Sequence, residues 1–175
     1  MGLTVLLGGA RSGKSDLASR LASAADGPVV MIVTAEARDD EMTERIQRHR
    51  EARPATWTTV EAPVDLATAV RDLEPDAFVV LDCLSLWVSN AMEAGLDDTR
   101  IVEEAREIAT ALAKREAPSV VVSNEVGLGI VPVNALARRY RDTLGRVNAT
   151  FVGEADRAYF VVGGKALALE DVSLV

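Results

Sequence analysis

Eight residues near the start of the chain constrain it most. Gly8-Gly9-Ala10-Arg11-Ser12-Gly13-Lys14-Ser15 follow an apolar run at 3–7 and open an amphipathic stretch that continues to about Ala24. A glycine, four residues and then Gly-Lys-Ser is the spacing of a phosphate-binding loop. The chemistry accounts for each residue type. Glycines let the backbone turn sharply and bring its N–H groups against phosphate oxygens. The helix N-terminus that follows adds partial positive charge. Lys14 reaches the β- and γ-phosphates, and Ser15 offers a hydroxyl to Mg2+. The motif needs a strand before it and a helix after it, which an α/β layer supplies.

The rest of the chain repeats that alternation. Apolar runs at 3–7, 29–33, 78–81 and 120–122 are of strand length and rich in β-branched residues, the pattern of strands buried on both faces. Helical stretches are predicted from the glycine loop to Ala24, from Asp39 to before Pro54, and over about 64–73, 99–115 and 134–151. In the last, Leu136, Tyr140, Leu144, Val147 and Phe151 share one face at helical spacing. Segments 158–162 and 166–169 read as one or two further strands, an edge hairpin being one arrangement. Strands alternating with helices imply a mostly parallel sheet covered on both faces. With 175 residues and no linker, repeat or low-complexity tract, the chain reads as a single domain over 1–175.

Composition narrows the partners. A net charge of -8 gives no sign of the basic face that a nucleic-acid binder needs, although a small local basic cluster suffices for a small anionic ligand. No apolar run approaches the ~20 residues of a membrane span, and no cleavable leader is expected. Cys83 is the only cysteine, which rules out an internal disulfide and suits a reducing cytoplasm. The cations are nearly all arginines, a matter either of genomic base composition or of groups forked onto phosphate.

Two further positions carry chemistry. Asp82 ends the apolar run at 78–81, where an aspartate either holds Mg2+ or caps the helix that follows. His49 is the only histidine and lies among Arg45, Arg48, Arg50 and Arg53. On a helix Met42, Ile46, His49 and Arg53 form one stripe. One reading is a half-buried histidine where the helix C-terminus favours a cation. The other is a nucleophile: a neutral imidazole attacks an activated phosphorus and passes the group on, with arginines steadying the phosphates. Spacing does not choose between them.

Five segments together resemble one family: GGARSGKS at 8–15, TAEARDDEMTERIQRHREAR at 34–53 with Pro54 and Trp57 after it, LDCLSLW at 81–87, SNEVGLGIVP at 123–132 and RRYRDTLGRVN at 138–148. In this combination and order they are similar to the bifunctional adenosylcobinamide kinase / adenosylcobinamide-phosphate guanylyltransferases of cobalamin biosynthesis. The resemblance covers nearly the whole chain. The glycine loop is common to many proteins; the histidine and NEVGLGIVP segments are far more specific.

The resemblance implies a RecA-like P-loop NTPase domain that assembles as a homotrimer. It implies two reactions: phosphorylation of adenosylcobinamide by ATP or GTP, then transfer of GMP from GTP to adenosylcobinamide phosphate, with pyrophosphate released. The transfer would pass through a covalent GMP on His49, beside Lys14 as the other catalytic residue. Implied nucleotide contacts are Gly8 to Ser15, then Thr34, Ala35, Glu36, Arg50, Glu51, Ala52, Arg53, Glu61 and Asp82, with Ser15 and Asp82 toward Mg2+. Glu61 and Asp82 are suited to guanine N–H groups, to Mg2+ or to orienting a hydroxyl. The segment 124–132, with two glycines and exposed-type Val, Leu and Ile, suits a loop closing over substrate, a corrinoid rim, a subunit contact or a plain connection. The run Asn148-Ala149-Thr150-Phe151-Val152 and the Gly163-Gly164-Lys165 ending depart from the family pattern, away from the nucleotide residues. A plain P-loop small-molecule kinase with a structural His49, and a non-catalytic nucleotide switch, are the competing readings.

Overall fold

The computed structural model describes residues 2–51 and 53–171. Its elements run β1 (Leu3–Gly8), α1 (Lys14–Ser23), β2 (Val29–Val33), α2 (Asp40–Glu51), β3 (Thr58–Glu61), α3 (Leu66–Arg71), β4 (Phe78–Asp82), α4 (Leu84–Glu93), α5 (Asp98–Ala113), β5 (Ser119–Asn124), α6 (Ala135–Glu154), β6 (Arg157–Val162) and β7 (Lys165–Leu169). The strands form one sheet in the order β3-β2-β4-β5-β1-β6-β7. Every pairing is parallel except β6 with β7.

Strand periodicity distributes the core. Leu3, Val5 and Leu7 of β1 point to one face with Ile32, Val79, Leu81 and Val121, and α3 to α6 cover them. Leu6 points to the other face with Met31, Val80, Val120 and Val122, where Ala18 and Ala22 of α1 pack. A side-chain period of two sends neighbours to opposite faces, so both faces are apolar and both need helices. The expected α/β sheet with helices on both sides is therefore what forms.

The differences have physical reasons. Helix α4, LSLWVSNAME, is not among the helices that periodicity predicts. Leu84, Trp87, Val88 and Ala91 are fully buried in it, and a helix apolar around most of its circumference has no polar face to mark its period. Strand β3 is equally silent, because it is a four-residue edge strand whose Thr58, Thr59 and Glu61 are exposed. Helix α3 is shorter than the predicted 64–73. In α6, Leu144, Val147 and Phe151 are buried as expected, whereas Leu136 in the first turn is 63% exposed and joins neither hydrophobic cluster. The end of the chain is the edge hairpin: Gly163 and Gly164, at φ 56° and 74°, form its two-residue turn. Positive φ at both turn positions is the geometry that strand twist favours.

Leu144 is fully buried. Leu144→Ala is expected to cost about 2–5 kcal/mol through lost burial and a residual cavity, and Leu144→Met less than about 1.5 kcal/mol. Urea unfolding of the two variants checks this; equal losses would show that the site tolerates no change of shape.

Candidate active site

The glycine loop joins β1 to α1, and two of its glycines are required by their surroundings. Gly8 has φ +155°, and a Cβ there would lie 2.3 Å from the Val161 carbonyl oxygen of β6. Gly13 has φ +96°, and a Cβ there would lie 3.1 Å from Gly164 Cα in the hairpin turn. Gly164 N–H donates to the Ser12 carbonyl at 2.9 Å. The β6–β7 hairpin thus backs the loop directly. Arg11, at φ 56°, is the one non-glycine residue with positive φ among the described residues. Lys14 is 6% exposed, and its Nζ donates to the Gly9 carbonyl at 2.7 Å and to Ser12 Oγ at 3.2 Å. Gly13 caps α1 without a side chain, so the first turn keeps N–H groups for an anion.

Beside this loop lies a cavity of about 580 Å³. Ser15 lines it from α1, Ala35 and Glu36 from the segment after β2, Glu61 from the end of β3, and Asp82 from the end of β4. Met42, Ile46, His49 and Arg50 of α2 line it too, with Arg53 beyond the helix. The stripe of Met42, Ile46, His49 and Arg53 read from helical spacing is therefore the face that α2 turns to the cavity. Ligands in open α/β sheets bind at the carboxyl ends of strands, and all these strand-end residues sit there.

Both charge signs meet in the cavity, Arg50 and Arg53 among Glu36, Glu61 and Asp82. Arg50 Nη2 donates to Glu61 Oε1 at 2.8 Å in an exposed pair. Arg53 is half-buried; burial lowers its pKa, and the Asp82 charge opposes that shift. Its high reference value keeps it a cation. The Cys83 thiol also borders the cavity, but burial, and then the Asp82 charge, push its pKa up, so it is not a thiolate nucleophile. Burial pushes Tyr140 up to about 12, and its hydroxyl donates to the Ser85 carbonyl at 3.1 Å.

Not every expected residue faces the cavity. Thr34 is fully buried: its Oγ1 donates to the Cys83 carbonyl at 2.7 Å and accepts from Cys83 N–H at 3.0 Å. That side chain is committed to joining the ends of β2 and β4. Glu51 is exposed and does not itself line the cavity; it accepts at 2.7 Å from Nε2 of Gln47, which does. Ala52 lies outside the described residues. Of the glycine loop, Ser15 reaches the cavity wall; residues 8–14 do not line it. The capping alternative for Asp82 does not hold, because Cys83 occupies the N-cap position of α4 and no side chain caps it.

Ser15 and Asp82 offer oxygen to one space, the ligand type Mg2+ takes. No group of three or more His, Cys, Asp or Glu positioned for a metal occurs among the described residues. That fits Mg2+, which commonly uses one or two protein oxygens and completes its shell with phosphates and water.

Two residues that motif reading passes over organise the site. Asn90 of α4 is 5% exposed, and its Nδ2 donates to the Thr34 carbonyl at 2.8 Å and the Pro63 carbonyl at 3.0 Å. Arg38 Nη2 donates to Asn90 Oδ1 at 2.9 Å. The available signal was an amide within an otherwise apolar run, since a buried polar side chain must have partners.

The sequence matches, over residues 4–169, the profile of a family described as cobinamide kinase / cobinamide phosphate guanyltransferase. It is 40% identical over 167 residues to the bifunctional adenosylcobalamin biosynthesis protein CobP of Pseudomonas aeruginosa, spanning 95% of this chain and 96% of that one. It is also 40% identical over 181 residues to the bifunctional adenosylcobalamin biosynthesis protein CobU of Salmonella typhimurium, spanning 93% and 96%. Among solved structures, the ATPase EscN of the enteropathogenic E. coli type III secretion system superposes with a TM-score of 0.60 at 11% identity, over 93% of this chain and 43% of that one. A KaiC-like protein, PH0186 of Pyrococcus horikoshii, superposes with a TM-score of 0.52 at 13% identity, over 91% and 70%. At such identities the likeness is one of fold, that of P-loop NTPases.

Gly8→Ala forces a Cβ against a backbone carbonyl, whereas nothing lies within 4 Å of a Cβ at Gly9. Gly8→Ala is expected to cost at least about 2 kcal/mol and Gly9→Ala less than about 1 kcal/mol. Thermal unfolding without nucleotide measures both; a Gly8→Ala variant as stable as wild type would refute the hairpin contact.

Proposed function

The chain belongs to the cobinamide kinase / cobinamide phosphate guanyltransferase family, and from that premise we propose that the cavity beside the phosphate loop serves both reactions, with His49 as the covalent carrier of GMP. The enzyme is a bifunctional adenosylcobinamide kinase and adenosylcobinamide-phosphate guanylyltransferase of cobalamin biosynthesis, with ATP or GTP as substrates. The observation that carries the mechanistic reading is that His49 of α2 and Ser15 of the phosphate loop line the same cavity.

In the first reaction the cradle holds the donor's β- and γ-phosphates against backbone N–H groups and Lys14. The substrate hydroxyl attacks the γ-phosphorus, the bond from that phosphorus to the β–γ bridging oxygen breaks, the nucleoside diphosphate leaves, and the hydroxyl proton passes to water. Ser15 and Asp82 are the residues that would hold Mg2+, which supplies charge neutralisation when bound. In the second reaction an imidazole nitrogen of His49 attacks the α-phosphorus of GTP. The α–β phosphoanhydride breaks and pyrophosphate leaves. A phosphate oxygen of adenosylcobinamide phosphate then attacks the same phosphorus, forming adenosylcobinamide-GDP and restoring the imidazole. Arg50 and Arg53 neutralise the phosphates. Glu36, Glu61 and the Ala35 segment line the space for the guanosine. Thr34 shapes that wall by holding the ends of β2 and β4 together.

A homotrimer is part of the same proposal. Its support, beyond family resemblance, is a run of exposed apolar side chains after β5: Leu128, Ile130, Val131, Val133 and Leu136 are each at least 60% exposed, more than an isolated soluble surface favours. No helix among the described residues is long and apolar enough to cross a membrane. A cytoplasmic site of action is proposed on the lone buried Cys83.

GTP labelled in its α-phosphate should leave acid-labile, base-stable label on the wild-type protein. His49→Ala should abolish the label while keeping kinase activity, and Lys14→Ala should lower kinase turnover about 100-fold or more. A wild type that phosphorylates cobinamide yet takes no label would return the protein to a simple kinase. Light scattering should give three times the 18.7 kDa chain mass, and Ile130→Asp should reduce it; a monomeric wild type refutes the trimer.

A further inference from the structure

Helix α2 brings His49 and Arg50 to the cavity, yet none of its described side chains is buried. Neither hydrophobic cluster, nor the partly buried residues packed on them, includes a residue of 40–51. Twelve residues of mainly polar helix have little intrinsic hold on their position, because helices in proteins are fixed chiefly by burying an apolar face. The position of α2 therefore rests on polar ties at its ends. Its C-terminal tie is the exposed Arg50–Glu61 pair. Its N-terminal tie is more elaborate.

Two residues before α2, Arg38 reaches across to α4. Its Nη2 donates to Asn90 Oδ1 at 2.9 Å, its Nε donates to Glu36 Oε2 at 3.0 Å, and its Nη1 pairs with Glu93. Asn90 is itself immobilised: both donated bonds of its Nδ2 go to backbone carbonyls, of Thr34 after β2 and Pro63 after β3. Helix α4 is anchored in the core through Leu84, Trp87, Val88 and Ala91. One guanidinium thus connects a rigid helix to the segment that launches α2. Asp39 follows it immediately and caps α2, accepting from Met42 N–H at 2.7 Å.

We propose that Arg38, gripped by Asn90, Glu36 and Glu93, is a positioning residue that sets where α2 presents His49, and so supports guanylyl transfer but not phosphoryl transfer. The inference rests on His49 being the GMP carrier. Its selectivity follows from what each reaction uses. Lys14, Ser15 and Asp82 stand on α1 and β4, which pack into the core. The core holds both elements, and no described residue of α2 belongs to either cluster. The nucleophile has no such support. An in-line attack is lost when the attacking atom shifts by about an ångström, at a cost of roughly 100-fold. Arg38 is partly exposed, at 43% for its side chain, so its loss is not expected to unfold the protein. Lysine is a poor replacement, since a single ammonium cannot reproduce a planar fork with several fixed donors.

The test compares wild type, Arg38→Ala, Arg38→Lys and Glu93→Gln in the intact enzyme. Two rates are measured for each: formation of the GMP–protein adduct from saturating α-labelled GTP, and phosphorylation of cobinamide by ATP. Arg38→Ala is expected to slow adduct formation roughly 10- to 100-fold with kinase turnover within about threefold and an unchanged melting temperature. Arg38→Lys should rescue adduct formation in part, and Glu93→Gln should show a weaker effect of the same kind. Adduct formation at the wild-type rate in Arg38→Ala overturns the inference while leaving His49 in its role. So does an equal fall in both rates, which would mark a merely structural residue. A wild type that forms no adduct overturns the His49 reading and this inference with it.

Discussion

Everything at the site depends on strands that run parallel and end level. Val33, the last residue of β2, pairs with Glu61 at the end of β3 and with Asp82 at the end of β4. Gly8, the last residue of β1, pairs with Asn124 at the end of β5. Parallel pairing forces crossovers, and crossovers bring each strand back with the same polarity. The carboxyl ends therefore gather at one edge, and the residues next in sequence all face one space. The glycine loop, Glu61 and Asp82 become neighbours although more than sixty residues separate the first from the last. Thr34 and Asn90 tighten that edge by bonding across the strand ends, satisfying buried backbone groups that a loop would otherwise leave unpaired.

The site so formed has two mechanical halves. One is built from strand ends and α1, buried against both apolar clusters. The other is α2, which lies at the edge with no described side chain in the core. Low burial and exposed polar contacts place such a segment at the weakly held end of a protein's stability range. On the proposed mechanism phosphate binding would draw on the first half and the histidine on the second, so the determinants of the two reactions would stand on elements held by different forces.

Legibility in the sequence followed that division only in part. Motif spacing exposed the phosphate loop because its glycines answer to local backbone geometry, and strands β1, β2, β4 and β5 stood out because both of their faces are buried. Helical spacing put Met42, Ile46, His49 and Arg53 on one stripe, which the fold turns to the cavity. What escaped depended on tertiary context. Helix α4 lacks a polar face, and β3 is a short exposed edge. Glu51 was grouped with its neighbours in the histidine segment, but on a helix it turns away from the face of His49. Thr34 is among the expected nucleotide contacts, and its side chain also forms a buried tie to the Cys83 backbone, which no motif signals. Arg38 and Asn90 stand 52 positions apart, and no local pattern announces a bond between them.

Charge explains how an acidic protein accepts a highly anionic ligand. The chain carries -8 overall, and its cavity sets Arg50 and Arg53 among Glu36, Glu61 and Asp82. Arg50 is not wasted in its bond to Glu61. An exposed ion pair is worth at most about 1 kcal/mol, so exchanging that carboxylate for a phosphate costs little, while the new charge-assisted bonds gain more in a space from which water is being expelled. The same exchange would release Glu61, freeing its carboxylate to accept from a ligand N–H or hydroxyl group. Arg53 is different. Half-buried and near the Asp82 charge, it has lost part of its hydration before any ligand arrives. The cavity thus holds one cation whose partner is readily replaced and one already partly desolvated, and a triphosphate whose α-phosphorus must be attacked needs both capture and a low-dielectric clamp.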